Sequence, residues 1–484
     1  MIDKENNMII CDCCGKSYDD PKHFVIGIPQ KDVNICVNCF NETRRMVMNY
    51  VSGLTDKEKE LMKEIGLEDE KDIEKEIKAN RTKINEDMMK NMYKIAKENT
   101  PVALKEYLDE YVIGQEGAKK TLAIAVYNHY KKAMFDMGVK SGQIDVTKVG
   151  APDELSKSSI LLIGPSGTGK TFLLRNLAKK LNIPLAVCDA SSLTEAGFVG
   201  SDPETCIRDL YKAANGDISK AEYGIVFLDE FDKLARKSGE NNSITADPGR
   251  EGVQQALLKI IEGGHVSFTE NGRKHPDAAT IEMDTSNILF VCGGAFDGIE
   301  KIIEARVSSN SMGFNITEED NEHIDLSNME EGEKYNTLID KVNVEDFKKF
   351  GIISEILGRL PIVCKLHQLT EEEMYDILTK PKNALVKQYK TLNNIIDNIH
   401  VNFDDDALKA IAHDVIEKKI GARGLITVIE NHLGDAMYEA SKLSKVRKPN
   451  EFISITVSKD CIENNVAPEI KVNTNDTDST SIAV

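Results

Sequence analysis

Apolar residues along this chain fall into two rhythms. Between residue 102 and about 310, short apolar runs at Ile160–Ile163, Leu185–Asp189, Ile225–Asp229 and Ile288–Cys292 alternate with longer helix-like segments. Short unbroken runs read as strands buried on both faces, and their alternation with helices predicts a parallel sheet covered on two sides. From 342 to 465 the helical rhythm dominates, with one late strand-like run near Phe452–Val457. Residues 50–100 interleave acid and base with few breaks, the pattern of a solvated helical linker that Pro101 ends. Two stretches carry no period. Residues 308–340 are polar and acidic and read as a long exposed loop, and residues 467–484, rich in Asn, Asp, Ser and Thr, read as disordered. The organisation predicted is a cysteine-bearing unit at 1–48, a charged helical linker at 49–100, and an α/β domain at 101–340 with its exposed loop near 308–335. An α-helical domain at 341–466 and the tail at 467–484 complete it.

Charge narrows the function classes. The 484 residues carry 80 acids against 61 bases, a net charge of -19. That disfavours a protein whose main task is to coat phosphate backbones, which needs a basic surplus. No run of about 18 apolar residues offers a membrane span, and the opening MIDKENNMII lacks the layout of a signal peptide. The expectation is a cytoplasmic protein with no membrane contact.

Ten cysteines are too sparse for a disulfide scaffold, but five fall within the first 39 residues. Cys11 and Cys14 form one C-x-x-C pair, Cys36 and Cys39 another, with 21 residues between them. Four thiolates close a tetrahedral Zn²⁺ site with no open position, so the role is structural, and the metal supplies folding free energy to a unit with little core. Cys13 could displace Cys14, although Gly15 after Cys14 suits the tight turn of a zinc knuckle. Cys188, Cys206, Cys292, Cys364 and Cys461 read as small buried hydrophobes.

Gly164, Pro165, Ser166, Gly167, Thr168, Gly169, Lys170 and Thr171 match G-x-x-x-x-G-K-S/T in full, between an apolar strand and a helix-like segment. In that setting backbone N–H groups cradle the phosphates of ATP, the lysine reaches the outer phosphates, and the threonine hydroxyl holds Mg²⁺. The strand Ile225–Asp229 ends in two acids: Asp229 is placed to organise Mg²⁺ and Glu230 to act as general base on water. Hydrolysis in such sheets often takes an arginine from a neighbouring subunit. Arg359 and Arg423 are candidates, though either, read alone, is more often a surface residue.

With these motifs together, the chain resembles the ClpX family, AAA+ protein unfoldases that feed a ClpP-type peptidase, over roughly residues 8–465. The resemblance rests also on Leu108–Gln115, Gly252–Gly263 and Asn287–Phe296, the last ending the strand of the sensor-1 position. It implies a P-loop AAA+ α/β ATPase with a helical C-terminal lobe and a small treble-clef-like zinc domain. In the family that zinc domain dimerises and captures substrates and adaptors. It further implies that Val112 and Ile113 pack on the adenine, that Arg359 acts in trans in a homohexamer, and that Arg423 is the sensor-2 arginine. Three loops match the family's working surfaces: Phe198 and Val199 between glycines in the axial pore, Arg273, Lys274 and His275 at its entrance, and Met312, Gly313 and Phe314 as the peptidase-docking tripeptide. The chain departs from the family at Ala246, usually Arg, at Ser354, usually Pro, and across the acidic stretch Glu318–Glu333.

The function expected is ATP-dependent unfolding of tagged proteins and their threading through a hexamer pore into a peptidase. The cofactors are ATP, Mg²⁺ and Zn²⁺. No G-x-S-x-G and no H-E-x-x-H is present, so any peptidase activity belongs to a partner. The alternatives are a stand-alone remodelling chaperone and, disfavoured by charge, a nucleic-acid motor.

Overall fold

The structure, a computed structural model, describes residues 97–140, 144, 157–194, 201–235, 248–270, 280–310, 329–446, 448 and 450–474, with short strand backbones in the first 36 residues. Met1–Glu86 form one compact unit and Asp87–Val484 a second. In the first, Ile2–Asp3, Met8–Ile10 and Ser17–Tyr18 make an antiparallel sheet, and Phe24–Ile28 pairs antiparallel with Val33–Cys36. The side chains of Cys11, Cys14, Cys36 and Cys39, and the linker as far as Ala96, lie outside the described residues.

The second unit opens with helices α1 (Pro101–Asp109) and α2 (Glu116–Lys140). Thr100 caps α1 by accepting a hydrogen bond from the Ala103 N–H at 3.3 Å, and Pro101 fills a position where a missing N–H costs nothing. Beyond them lies a five-stranded sheet of β1 (Ile160–Ile163), β2 (Leu185–Asp189), β3 (Ile225–Asp229), β6 (Leu289–Gly294) and β7 (Ile362–Lys365). The two strands between, β4 (His265–Thr269) and β5 (Thr280–Asp284), pair as a separate antiparallel hairpin. The order is β7-β1-β6-β3-β2, every neighbour parallel. Strand periodicity divides the core in two: Leu161 and Ile163 pack on one face with Phe231, Phe290 and Phe296, while Ile160 and Leu162 pack on the other with Leu104, Leu122 and Leu174.

Four expectations are corrected. The expected loop 308–340 holds the end of a helix (Ile299–Asn310) and the helix Glu331–Asp340, whose Leu338 and Ile339 are buried beneath an otherwise polar face. The domain boundary at 340 is too early. The helices Val344–Phe350 and Ser354–Arg359 bury Phe347, Ile356 and Leu357 in the first core, and β7 then completes the sheet beside β1. The C-terminal lobe, expected as helical with one late strand near Phe452–Val457, has that strand and a second one beside it. Its helices Glu371–Thr379, Leu385–Asp397, Asp405–Glu417 and Arg423–Ser444 enclose a core shared with β8 (Ile399–Phe403) and β9 (Glu451–Val457). Finally, the tail expected to be disordered contributes β10 (Glu469–Thr474), antiparallel to β9, with Ile470 opposite Ile455 and Val472 opposite Ile453. A six-residue alternation is lost when composition is averaged over a polar tail.

At the N-terminal edge of β6, His129 lies against the Asn287 carbonyl at 3.0 Å, and Lys157 donates to the Thr285 carbonyl at 2.7 Å over the Phe290 ring. Burial, helped by the Lys157 charge, pushes the His129 pKa down to about 3, and burial pulls Lys157 down to about 7. Below pH 6.5 the unfolded chain therefore takes up a proton that folded His129 refuses, so this residue makes stability fall as pH drops from 6.5 towards 3. The slope approaches about 1.4 kcal/mol per pH unit. His129→Gln should flatten the melting temperature between pH 4 and 6, as read by calorimetry across that range.

Candidate nucleotide-binding site

The C-terminal ends of the parallel strands open into a cleft of about 690 Å³ lined from both lobes. The loop after β1 leads into helix Lys170–Leu181, with Gly169 as its N-cap. Gly167 and Gly169, both at positive φ, line the cleft with the first residues of the helix, and a glycine loop that runs into a helix N-terminus is an anion cradle that suits the phosphates of ATP. Lys170 donates to the carbonyls of Gly164 at 2.6 Å and Pro165 at 3.0 Å. Burial holds its pKa below the ordinary lysine value, against the opposing pull of Asp229. Thr168 donates to the Pro165 carbonyl at 2.8 Å and stiffens the same loop.

Thr171 Oγ1 donates to Asp229 Oδ2 at 3.0 Å. A hydroxyl and a carboxylate at that spacing are hard oxygen donors and fit Mg²⁺. Glu230 follows with a φ of 55°, a left-handed conformation that a non-glycine residue adopts at a cost of order 1 kcal/mol. Its N–H donates to Asp229 Oδ1 at 3.0 Å, and the turn leaves Glu230 lining the cleft.

Val112 and Ile113 line the other end, with Tyr111. Their loop is tied down by Lys119, only 2% exposed, which pairs with Asp109 at 2.5 Å and Glu116 at 2.8 Å and donates to the Val112 carbonyl at 3.2 Å. Ser166 and Arg423 also line the cleft, the latter from the first turn of the helix Arg423–Ser444. Between the lobes, the Ala422 N–H donates to the Gly167 carbonyl at 3.2 Å. Gly167 and Gly421 have φ of +79° and +65°. A Cβ on Gly167 would come within 2.9 Å of Gly421 Cα, and one on Gly421 within 2.7 Å of the Ser166 carbonyl.

Arg359 is elsewhere. It ends the helix Ser354–Arg359 and pairs with Glu262, Nε at 3.0 Å and a terminal nitrogen at 2.8 Å, away from its own chain's cleft. Phe198 and Val199, Arg273 to His275, and Met312 to Phe314 lie outside the described residues. Among the described residues no cluster of three or more His, Cys, Asp and Glu side chains suits a metal ion, and no helix is long and apolar enough to cross a membrane.

Sequence reasoning missed several lining residues. Asp232 and Lys233 stand just past Glu230, and Asp297 stands one residue beyond the Asn287–Phe296 segment, so adjacency could have found all three. Arg175 is one helical turn after Thr171. Leu369, Ile377, Leu385 and Gln388 carry no local signal, because only the folding of the C-terminal lobe over the cleft brings them there.

The parallel sheet in this order, the glycine loop after its second strand position and the acid pair at the end of the neighbouring but one define a P-loop ATPase of the AAA+ class. Residues 155–363 match the family described as AAA domain (Cdc48 subfamily), and residues 369–455 the C-terminal, D2-small domain of ClpB protein, so the lobe boundary falls just after β7. The chain is 46% identical over 375 residues to the ATP-dependent Clp protease ATP-binding subunit ClpX of Treponema denticola, covering 77% of this chain and 84% of that one. It is 47% identical over 339 residues to the protein of that name in Porphyromonas gingivalis, covering 70% and 77%. The chain belongs to the ClpX family and is an ATP hydrolase.

The glycine-to-glycine contact makes a sharp prediction. Gly421→Val places a β-branched residue at positive φ against the Ser166 carbonyl, and ATP binding measured by calorimetry should weaken by about tenfold or more. Gly421→Ala should lose less.

Proposed function

We propose that this chain is the ATP-driven unfolding and translocating subunit of a ClpP-type protease, working in the cytoplasm as a homohexamer. The observation that carries the reading is the convergence of Lys170, Thr171, Asp229 and Glu230 from one lobe with Arg423 from the other, across the Gly167–Gly421 contact. A nucleotide bound there touches both lobes, so its hydrolysis changes the angle between them.

Bound ATP would supply the phosphoanhydride bond whose hydrolysis drives each stroke, and Mg²⁺ would neutralise charge on its phosphates. Around them, Lys170 would exchange its carbonyl partners for phosphate oxygens, and Thr171 and Asp229 would hold the metal. Glu230 accepts the proton of the attacking water. Arg423 reports the state of the phosphates to the C-terminal lobe. Arg359, on the surface and facing away from its own cleft, suits delivery into a neighbouring subunit's site, which supports a ring. Phe198 and Val199 grip polypeptide in the pore, while Arg273, Lys274 and His275 draw carboxylate-bearing tails to its entrance. Met312, Gly313 and Phe314 dock in an apolar cleft of the peptidase. Cys11, Cys14, Cys36 and Cys39 would hold Zn²⁺, which would supply folding free energy to the N-terminal unit, and that unit pairs with a second copy and collects substrates and adaptors. Motif matches and family membership support these loop and zinc assignments.

Glu230→Gln should bind ATP with unchanged affinity and turn it over at least about 100-fold more slowly, measured by equilibrium binding and phosphate release; normal turnover would remove Glu230 from the chemistry. Phe314→Ala should abolish ATP-dependent peptide release by added ClpP while ATP hydrolysis alone continues. Peptide release at the parent rate would point to a remodelling chaperone that needs no such docking.

A further inference from the structure

The connector between the lobes is held far more tightly than a hinge needs. After β7 its pairing with β1 runs on, with the Leu366 N–H donating to the Ile163 carbonyl at 2.7 Å. The next residue is gripped by a side chain: Gln115 Nε2 donates to the His367 carbonyl at 2.8 Å and Gln115 Oε1 accepts from the His367 N–H at 2.9 Å. The residue after that is gripped the same way from the other side, where Asn336 Nδ2 donates to the Gln368 carbonyl at 3.2 Å and Asn336 Oδ1 accepts from the Gln368 N–H at 2.7 Å. Each amide supplies one donor and one acceptor, the pair that a neighbouring strand would offer. The hold then resumes at Thr370, whose capping box with Glu373 starts the helix Glu371–Thr379. One residue, Leu369, stands between the clamped pair His367–Gln368 and the capped Thr370, and it lines the candidate nucleotide cleft.

Gln115 is buried, and it directly follows the loop of Val112 and Ile113 at the base end of that cleft. The same loop reaches past the pivot as well. The Lys382 N–H donates to the Glu110 carbonyl at 2.9 Å and Lys382 Nζ pairs with Glu110 Oε2 at 2.7 Å, while Gly114 abuts the Glu373 carboxylate so closely that a Cβ has no room. Residues 110–115 thus touch the connector before Leu369 and the C-terminal lobe after it.

We infer that Gln115 is a positioning residue for ATP-driven movement: its amide locks the connector through His367, confines rotation of the lobes to Leu369, and ties that rotation to the loop at the base end of the cleft. Asn336 completes the lock at Gln368. The inference rests on the reading of this cleft as the ATP site that drives the lobes. A bound nucleotide that shifts the 110–115 loop moves the clamp and the far side of the pivot together, so little of the stroke is lost in a flexible connector.

The test uses the full chain and measures kcat and KM for ATP hydrolysis with thermal melting. Gln115→Met removes both bonds at similar volume. It should lower kcat at least about fivefold with KM within about twofold of the parent, since the glycine loop and the Val112–Ile113 surface remain. Gln115→Glu keeps the acceptor for the His367 N–H and loses the donor, so it should recover part of the lost kcat. Asn336→Leu should lower kcat in the same way from the opposite side. A Gln115→Met protein with kcat within twofold of the parent would overturn the inference. So would a loss that disappears on cooling in step with a lowered melting temperature, which marks a stability effect alone. Failure of the underlying reading looks different: the parent would not hydrolyse ATP, or Glu230→Gln would hydrolyse it normally.

Discussion

Two backbones approach each other at Gly167 and Gly421 more closely than any side chain permits, and much of the site depends on that approach. The loop after β1 must aim N–H groups at an anion, which calls for positive φ at Gly167. Having no Cβ there also opens a seat for the second lobe, whose Gly421 fits against it only because it too is a glycine at positive φ. The Ala422 N–H then closes on the Gly167 carbonyl, and the next residue along is Arg423. On the proposed reading of this loop as the phosphate cradle, phosphate binding and lobe placement are one contact seen from two sides. The double-faced core behind β1 keeps the loop's origin rigid, so that a displacement of the C-terminal lobe at Gly421 bears on the glycine loop and is not absorbed by the sheet.

The base end is rigid for a different reason. Lys119 is almost wholly buried, yet its charge is met by Asp109 and Glu116 and its third donor reaches the Val112 carbonyl. A buried ion that lost one partner would be strongly destabilising, which keeps α1, α2 and the loop between them in one arrangement. The cleft is therefore pinned at both ends, by backbone packing at the phosphates and by a buried charge cluster at the base.

The parts of this molecule that were legible beforehand are those written in consecutive residues. β1, β3 and β6 appear as apolar runs because strands buried on both faces have few polar positions to interrupt them, and the edge strand β2 reads the same way although Val187 on its outer face is exposed. The glycine loop and the acid pair at Asp229 and Glu230 are spaced by the chemistry of phosphate and metal, and so are readable without a fold. What escaped was set by pairing across long separations. β7 joins the sheet only because Ile362 finds Ile160, and nothing local to residues 341–365 says so. Leu369, Ile377 and Leu385 look like any core positions until the lobe closes over the cleft. β10 hides in a polar tail because an edge strand needs only alternate apolar residues, here Ile470 and Val472.

The Arg359–Glu262 pair has a consequence for assembly. Within one chain the guanidinium is already engaged, but by a single carboxylate oxygen on an exposed surface, an attachment usually worth no more than about 1 kcal/mol in water. In the ring proposed above, such a partner is given up readily when a neighbouring subunit offers a phosphate. With Arg359 in the trans role proposed above, the arginine is parked until then, and the lone chain lacks one charge that its chemistry wants. Hydrolysis on that proposal becomes a property of chain concentration as much as of the chain, rising more steeply than in proportion as protein is added, so that dilution itself acts as an off switch.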